Sequence, residues 1–304
     1  MEPVSKLFTI DLYRLRVLRE LADRGTVAAT AAALHVTPSA VSQQLATLAR
    51  EVGVPLLSRD GRGVRLTAQA RILLDHASIV HAQLERARAD LDAHTDGEVG
   101  EVVIGAFASA VTGVVVPALA RLRRERPRLR VRVVEAEAPG CFSRLGVGEL
   151  DVVITVDWRD APHRADPRYA RRDLLTDPMN VVLPADHPLA GRERLELADL
   201  ADEPWVAGRS GPCLEVALAA CAEAGFNPEI RHRTDDWTAL GALVGVGAGV
   251  ALAPSLALPA APPGTVLRAA APRPPARRIF LAVRAGAEDS PLLRPVIDAL
   301  SARP

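Results

Sequence analysis

Apolar residues in the first fifty positions recur every three or four residues, a spacing that predicts three short helices. The first spans residues 12–22. The second is rich in alanine and begins after Thr26, whose side chain suits an N-cap. The third has Thr37 as N-cap and Pro38 as first helical residue, where a missing N–H costs nothing, and runs to about residue 50. Because so few residues separate the second and third helices, the pattern is typical of a helix-turn-helix.

The third predicted helix has an apolar face and a polar face. The residues that can pack inward are Ala40, Val41, Leu45, Leu48 and Ala49. The outward stripe is short or hydrogen-bonding and contains Ser39, Ser42, Gln43, Ala46 and Arg50. Serine and glutamine can read base edges in a major groove, and the helix N-terminus can face a phosphate, so the stripe favours DNA recognition. The predicted DNA-binding residues of this helix are Thr37, Pro38, Ser39, Ser42, Gln43 and Arg50. The alternative is an ordinary solvated helix, where serine and glutamine are also common.

Two strand-like runs follow this helix, residues 54–59 and 64–66, on either side of the glycine-rich turn 60–63. They predict a β-wing that carries Arg59, Arg62 and Arg65. A wing directly after a recognition helix can lay arginines along the DNA backbone or into the minor groove. The wing therefore strengthens the interpretation of the third helix as a DNA-reading element.

A repeat with steps of four and three residues begins after the wing, with Thr67 as a possible cap. Its members are Leu66, Ala70, Leu73, Ala77, Val80, Leu84, Ala87 and Leu91. We interpret it as a linker helix that dimerises through Leu73, Ala77, Val80, Leu84 and Leu91, because a two-fold dimer engages two DNA half-sites together. The alternative is one long helix packed on its own domain. Residues 94–98 break the repeat and predict a hinge.

The rest of the chain alternates strand-like and helix-like segments, which predicts a parallel sheet. The predicted strands are residues 99–105, 129–135, 151–156, 179–183, 205–207, 230–233, 250–253 and 279–283. The predicted helices are residues 109–126, 142–145, 214–224, 237–246 and 292–300. A proline-rich stretch, residues 259–275, separates the last two strands.

The stretch from Gly25 to Thr67 resembles the DNA-binding domain of LysR-type transcription regulators in order, spacing and residue type. The resemblance implies that Thr37, Ser39, Ser42 and Gln43 approach the major groove and that Arg62 belongs to the wing. Leu57, Ala49 and Arg71 depart from the family's usual phenylalanine, glutamate and glycine; the first changes core packing and none removes a DNA contact. The two α/β segments resemble the periplasmic-binding-protein fold that this family carries as its effector domain.

We therefore predict an α+β multidomain protein: a winged helix-turn-helix, a long linker helix and a two-lobed α/β effector domain. The predicted boundaries are 1–67 for the DNA-binding domain, 68–95 for the dimerisation helix and hinge, and 96–304 for the effector domain. Lobe I takes about 96–172 plus 265–304, and lobe II takes about 173–264.

In such a domain a ligand sits between the lobes, near strand ends and helix N-termini that favour an anion. The candidate effector-binding residues are Ser109, Glu137, Asp157 and Arg209. Ser109 follows the first strand and can bond a carboxylate, or it is a plain helix cap. Arg209 suits an acidic effector. Asp157 and Arg209 are otherwise surface residues, and Glu137 is the weakest candidate.

Composition limits the other functions. The 37 basic and 37 acidic residues cancel, but the chain up to Thr67 is modestly positive. No signal peptide or membrane-spanning run is evident, so we expect a soluble cytoplasmic protein. No metal-ligand spacing, nucleophile elbow, phosphate loop or dinucleotide fingerprint occurs, so we expect no enzyme, no metal site and no cofactor.

Two alternatives stay open at this stage. A redox-sensing regulator would use Cys213 and Cys221, as peroxide-sensing members of the LysR family use two cysteines in the second lobe. On one helix these cysteines lie about 12 Å apart, too far for a disulfide without unfolding. A solute-binding receptor would share the two-lobed domain, but the helix-turn-helix and the missing signal peptide argue against it.

The resemblance implies the partners of this protein. They are double-stranded DNA with an inverted-repeat promoter site, a small effector of unknown identity, and further copies of the chain in a homodimer or homotetramer. RNA polymerase is an additional candidate partner, and no membrane is expected. We expect the effector to shift the lobes and so change the spacing or angle of the paired DNA-binding domains.

Overall fold

A computed structural model describes residues 10–60, 63–94, 100–138, 140–159 and 161–302. Contacts divide the chain into two compact units, Met1–Ala87 and Arg88–Pro304. Each unit has its own apolar core, and we describe each by itself. We call them the DNA-binding unit and the effector unit, after the predictions above.

The DNA-binding unit begins with three capped helices, α1 (Leu12–Arg24), α2 (Val27–Ala33) and α3 (Pro38–Val52). The side chains of Asp11, Thr26 and Thr37 each accept a hydrogen bond from a backbone N–H of the first turn that follows. The α1 and α3 helices end at glycines in the left-handed conformation. The predicted helix-turn-helix is therefore present, with its caps at the predicted residues.

The core of this unit contains the inward faces of these helices. Its fully buried members include Val17, Leu18, Val41, Leu45, Leu48, Leu56 and Ala70. Strands β1 (Leu57–Asp60) and β2 (Gly63–Leu66) pair antiparallel, with Leu57 opposite Leu66. This hairpin is the predicted wing; Gly61 and Arg62 at its turn lie outside the described residues.

Helix α4 (Ala68–His94) follows, and the hydroxyl of Thr67 caps it by accepting a hydrogen bond from the N–H of Ala70 at 3.1 Å. Its first turns pack on the unit's own core through Ala70, Leu74 and, partly buried, Leu73 and Ala77. The dimerisation seam stays a prediction, but its members Leu73 and Ala77 are partly covered by the helix's own domain. Packing on the helix's own domain, the alternative interpretation, holds for this first part, because α1 and α3 leave an apolar edge that it covers.

Most of the exposed apolar residues of α4 lie beyond Ala77. They are Ile79 and the predicted seam members Val80, Leu84 and Leu91, preceded by Ile72. The predicted hinge begins at the end of α4, and its residues 95–98 lie outside the described part of the chain.

The effector unit contains ten further strands and six further helices among the described residues. The strands are β3 (Gly100–Ala106), β4 (Leu129–Glu135), β5 (Val152–Val156), β6 (Tyr169–Pro184), β7 (Arg194–Glu196), β8 (Pro204–Ala207), β9 (Glu229–Arg233), β10 (Ala251–Pro254), β11 (Thr265–Ala271) and β12 (Ala276–Arg284). The helices are α5 (Ala108–Ala110), α6 (Val116–Glu125), α7 (Gly140–Gly146), α8 (Pro212–Glu223), α9 (Trp237–Gly245) and α10 (Leu293–Ser301). A π-helical turn, Val111–Val115, joins α5 to α6.

The main sheet is mixed, which corrects the expectation of a parallel sheet. Its order is β4-β3-β5-β12-β6-β11-β7, with β10 also paired to β6. Strands β3, β4 and β5 are mutually parallel, as are β8 and β9 in a small second sheet. In contrast, β12 runs antiparallel to both β5 and β6. A late strand enters the sheet between β5 and β6, and the alternation of segments along the chain does not reveal this.

Strands β6 and β12 connect two apolar cores. The core of lobe I contains Ile104, Ile154, Leu281 and Val296. The core of lobe II contains Met179, Leu195, Trp205 and Val250. The first part of β6 pairs with β12 and its last part with β10 and β11, so one strand belongs to both lobes. Within the β6–β12 ladder Arg277 lies opposite Asp177, at the passage from one lobe to the other.

Candidate DNA-binding surface and effector site

The predicted DNA-reading residues form an exposed row on α3. Thr37, Pro38, Ser39, Ser42, Gln43 and Arg50 are all exposed, whereas Val41, Leu45 and Leu48 are buried. The amphipathic pattern of α3 produces this division, because the apolar positions face α1 and α2. The structure thus brings together the six helix residues that the sequence singled out.

Local hydrogen bonds fix part of this row and leave part of it available. The Thr37 hydroxyl lies 3.0 Å from that of Ser39, and Ser42 Oγ donates to the Pro38 carbonyl at 3.0 Å. Gln43 makes no hydrogen bond to any other described residue. Its amide therefore has both donors and its acceptor free for a base edge.

The wing carries the remaining predicted DNA contacts. Arg65 on β2 is exposed and lies opposite Ser58 in the hairpin. Arg59 lies on β1, but its side chain, like the whole of Arg62, lies outside the described part. Arg65 is therefore the wing arginine whose side chain the structure describes as exposed.

The second candidate site is centred on the guanidinium group of Arg277. This group donates from Nε to Asp177 Oδ2 at 2.9 Å and from Nη2 to Ser109 Oγ at 2.9 Å. It also donates from Nη1 to the sulfur of Cys213 at 3.4 Å and lies over the ring of Phe107, 4.8 Å from its centre. The Arg277 and Asp177 side chains are 3% and 1% exposed, so the ion pair is buried.

Four elements meet at this guanidinium. Ser109 comes from α5, Cys213 from the first turn of α8, Asp177 from β6 and Arg277 from β12. Ser109 is buried and is not the cap of its helix, since that position is occupied by Phe107. Effector binding by Ser109 stays a prediction; in the structure its hydroxyl accepts a hydrogen bond from Arg277.

Glu137 interacts electrostatically with Arg277 and with Asp235, which is the partner of Arg209. Desolvation raises the pKa of Glu137, the carboxylates Glu135 and Asp235 raise it further, and Arg277 opposes the effect. Arg209 donates from its backbone N–H to Asp235 at 2.8 Å and from Nε at 2.6 Å. These bonds lower the pKa of Asp235. The positive charge of Arg209, which we predicted to bind an acidic effector, therefore also pairs with the carboxylate of Asp235.

Asp157 is not part of the cluster. It pairs with Arg171 and, at 3.3 Å, with Arg278. Arg278 is the neighbour of Arg277 on β12, so its side chain points to the opposite face of the sheet. Arg171 stacks on Phe280 and lines a small cavity there. None of the contacts described for Asp157 involves Ser109, Glu137 or Arg209.

Sequence reasoning missed Arg277 and Asp177. Asp177 precedes an apolar run and looks like a loop residue, and Arg277 is one of two adjacent arginines before another run. The sequence does show that each of these two residues is a charged residue beside a strand-like segment, and that the two charges are opposite. In the sequence Cys213 stands out only as a possible disulfide partner of Cys221, and both lie on α8.

A winged helix-turn-helix joined by a long helix to a two-lobed α/β domain defines a DNA-binding transcription regulator. A profile described as LysR substrate binding domain matches residues 95–304, and one described as bacterial regulatory helix-turn-helix protein, lysR family, matches residues 12–71. The chain therefore belongs to the LysR family, whose members are transcription regulators rather than enzymes.

Individual relatives agree with this assignment. A probable hydrogen peroxide-inducible genes activator of Mycobacterium avium is 33% identical over 295 residues, covering 94% of this chain and 92% of the relative. Among solved structures, a full-length OxyR variant from Pseudomonas aeruginosa has a TM-score of 0.63 at 22% identity and covers 96% of this chain and 95% of its own. Full-length CbnR in complex with its target DNA has a TM-score of 0.56 at 20% identity, covering 96% of this chain and 100% of its own. The two structures share the fold. No helix in the described ranges is long and apolar enough to cross a membrane.

Proposed function

We propose that this LysR-type regulator reads an inverted-repeat promoter site through α3 and β1–β2, and that a small effector modulates this binding. The observation that carries the proposal is the exposed row Thr37, Ser39, Ser42, Gln43 and Arg50 on α3. Arg65 on the wing supplies a positive charge for the phosphate backbone. The chain acts as a homodimer or homotetramer, so that two copies of α3 engage two half-sites.

We place the effector at the junction of the lobes, against Ser109, Glu137, Arg209 and Arg277. Elements of both lobes meet at the buried Arg277, and the exposed side chains of Glu137 and Arg209 are polar groups that a ligand can contact. Binding would alter the β6–β12 crossing and so the presentation of the paired DNA-binding units to the promoter, where RNA polymerase responds. A footprint of the purified protein on its own upstream DNA, repeated with candidate metabolites, tests this step. A protected length that no metabolite changes would contradict the effector proposal.

Replacing Gln43 by alanine is expected to lower operator affinity about tenfold or more, because a bidentate base contact is worth about 1–3 kcal/mol. Binding to random duplex should stay the same. The measurement is a titration of operator and random DNA by fluorescence anisotropy at one fixed salt concentration.

Gln44→Ala is the matched control for this experiment. The Gln44 side chain accepts a hydrogen bond from Arg14 Nε at 3.0 Å within the DNA-binding unit, so the same chemical change falls on the inner side of the same helix. We expect this variant to bind operator like the wild type. An equal operator preference in Gln43→Ala and the wild type would refute the assignment of α3 as the reading helix.

A second candidate function is redox control through Cys213, which the Mycobacterium avium relative and the contact with Arg277 favour. Desolvation raises the pKa of Cys213, and the guanidinium of Arg277 opposes this effect. Hydrogen peroxide would oxidise the thiolate to a sulfenic acid: a new S–O bond forms as the O–O bond breaks, and the other oxygen leaves as hydroxide, which takes a proton from solvent to become water. A disulfide with Cys221 faces two obstacles. The helical separation is about 12 Å, and burial raises the pKa of Cys221 to about 11.

If redox control operates, peroxide changes the footprint of the wild type, and Cys213→Ser abolishes the change. Cys221→Ser keeps the response if Cys213 acts alone and loses it if a disulfide forms. Mass spectrometry after trapping of sulfenic acid identifies the oxidised residue. An unchanged footprint, with both thiols still titratable after peroxide treatment, would exclude this second function.

A further inference from the structure

A segment of the effector unit concentrates positive charge far more than the rest of the chain. Residues 121–132, which we call the arginine belt, hold seven arginines and one glutamate. The remaining sequence has thirty basic and thirty-six acidic residues, so the chain as a whole is neutral. Such segregation creates a local positive potential that the net charge conceals.

All seven arginines of the belt are exposed. They lie on the second half of α6, on the turn that follows, and on the first half of β4: Arg121, Arg123, Arg124, Arg126, Arg128, Arg130 and Arg132. Among the described residues, Arg121 pairs with Glu125 at 2.9 Å and Arg132 with Glu101 at 3.6 Å, and Arg126 and Arg128 also have interaction partners. Arg123, Arg124 and Arg130 have no ionic partner among the described residues.

Ordinary structural roles explain only part of this charge. Arg123 and Arg124 complement the dipole at the end of α6. Arg130 and Arg132 protect β4, an outermost strand of the main sheet, from pairing with another chain. However, the other outermost strand of the sheet, β7, carries one charge of each sign, Arg194 and Glu196. Edge protection therefore does not require a belt of a single sign.

We propose that the arginine belt binds the phosphate backbone of duplex DNA outside the segment that α3 reads. A row of exposed guanidinium groups is complementary in charge to a polyanion. In a DNA-binding regulator the promoter duplex is a polyanion that the protein already binds. Exposed arginines on a turn and an edge strand contact phosphates without reading bases, so the belt adds affinity but not sequence preference. This inference rests on the proposed DNA-binding function and assigns a DNA contact to the effector unit.

The test uses the full-length triple variant Arg123→Ser, Arg124→Ser, Arg130→Ser. Each phosphate contact contributes about 0.9 to the slope of log affinity against log salt, so the slope should fall by about 2 to 3 for each copy of the chain whose belt contacts the DNA. Affinity is measured by anisotropy at several salt concentrations, on a duplex with the operator and long flanks and on a duplex trimmed to the operator. On the trimmed duplex the variant and the wild type should have equal slopes.

The matched control is Arg192→Ser, Arg231→Ser, Arg273→Ser, which removes the same charge from exposed positions elsewhere in the effector unit. It should keep the wild-type slope on the long duplex. Equal slopes for the belt variant, the control and the wild type would overturn the proposal. A belt variant that binds DNA normally but fails to support transcription by RNA polymerase would assign the belt to a protein partner instead, and would also overturn it.

Failure of the belt proposal can be distinguished from failure of the proposed DNA-reading function of α3. Loss of operator preference in Gln43→Ala tests that function and leaves the salt slope nearly unchanged. If the wild type has no preference for operator at all, the proposed function fails. If it has the preference and the belt does not alter the slope, only the belt proposal fails. Equal unfolding midpoints of the belt variant and the wild type verify that the variant is folded.

Discussion

Replacing Arg277 by methionine is expected to destabilise the effector unit by about 3–5 kcal/mol, because the change leaves the carboxylate of Asp177 buried without its partner. Asp177 is 1% exposed and keeps only the hydrogen bond from the N–H of Leu256 at 3.1 Å. The change also removes the donor to Ser109 and the contact with Cys213. Urea unfolding measures the effect, and tryptophan fluorescence reports on this unit alone, since all three tryptophans lie within it.

Arg278→Met is the matched control, one residue further along the same strand. Arg278 is 73% exposed and its ion pair with Asp157 at 3.3 Å is near the surface, so we expect a loss below about 1 kcal/mol. The double variant Arg277→Met with Asp177→Leu should recover most of the stability, because it removes both buried charges together. An equal loss of unfolding free energy in Arg277→Met and Arg278→Met would contradict this prediction. So would a double variant that is no more stable than Arg277→Met.

The helices of the DNA-binding unit were predictable because their local signals agree with their packing. Thr26, Thr37 and Pro38 mark helix starts by short-range chemistry, and the apolar period of α3 fixes which side is buried. The exposed row on α3 follows from the same period. Caps and apolar periods depend on a few neighbouring residues, so a single sequence is sufficient to predict these helices.

The order of strands was not predictable in the same way. Strand β6 runs over 16 residues, but only its last third, residues 179–183, has the apolar pattern of a buried strand. Its earlier part holds several charged residues that pair with groups on β12 or at the surface. Strand β11 lies within a stretch that its prolines make look irregular. Pairing between segments 100 residues apart, such as Asp177 with Arg277, leaves no trace in local spacing.

The candidate effector site shows the same limit. Ser109 was found because it follows a strand and starts a helical pattern, but its partner Arg277 comes from the far end of the chain. Asp157 satisfies the same rule as Ser109, yet the alternation of side chains on β12 gives it partners on the other face of the sheet. Position after a strand selects candidates, and only tertiary pairing decides which of them meet.

The apolar repeat of helix α4 contributes first to the core of the DNA-binding unit and then to an exposed surface. Ala70 and Leu74 are buried in the DNA-binding unit, whereas Val80, Leu84 and Leu91 are 45%, 46% and 71% exposed. A single chain therefore leaves a stripe of apolar side chains in water along the later turns. In a LysR-type regulator that engages two half-sites, a second copy of α4 is the partner that we propose for this stripe.

Replacing Leu84 by glutamate is expected to abolish this dimer and to lower operator affinity by about 100-fold or more, because half-sites are then bound singly. In a two-fold pair the substitution places two carboxylates close together in an apolar seam, where neither is solvated nor paired. Sedimentation equilibrium measures the dimer, and an operator titration measures the affinity. His81→Glu introduces the same side chain at an exposed position outside the stripe and should leave both quantities unchanged. Leu84→Met keeps the apolar volume and should also preserve the dimer. A Leu84→Glu protein that stays dimeric and binds operator like the wild type would show that α4 does not form the interface.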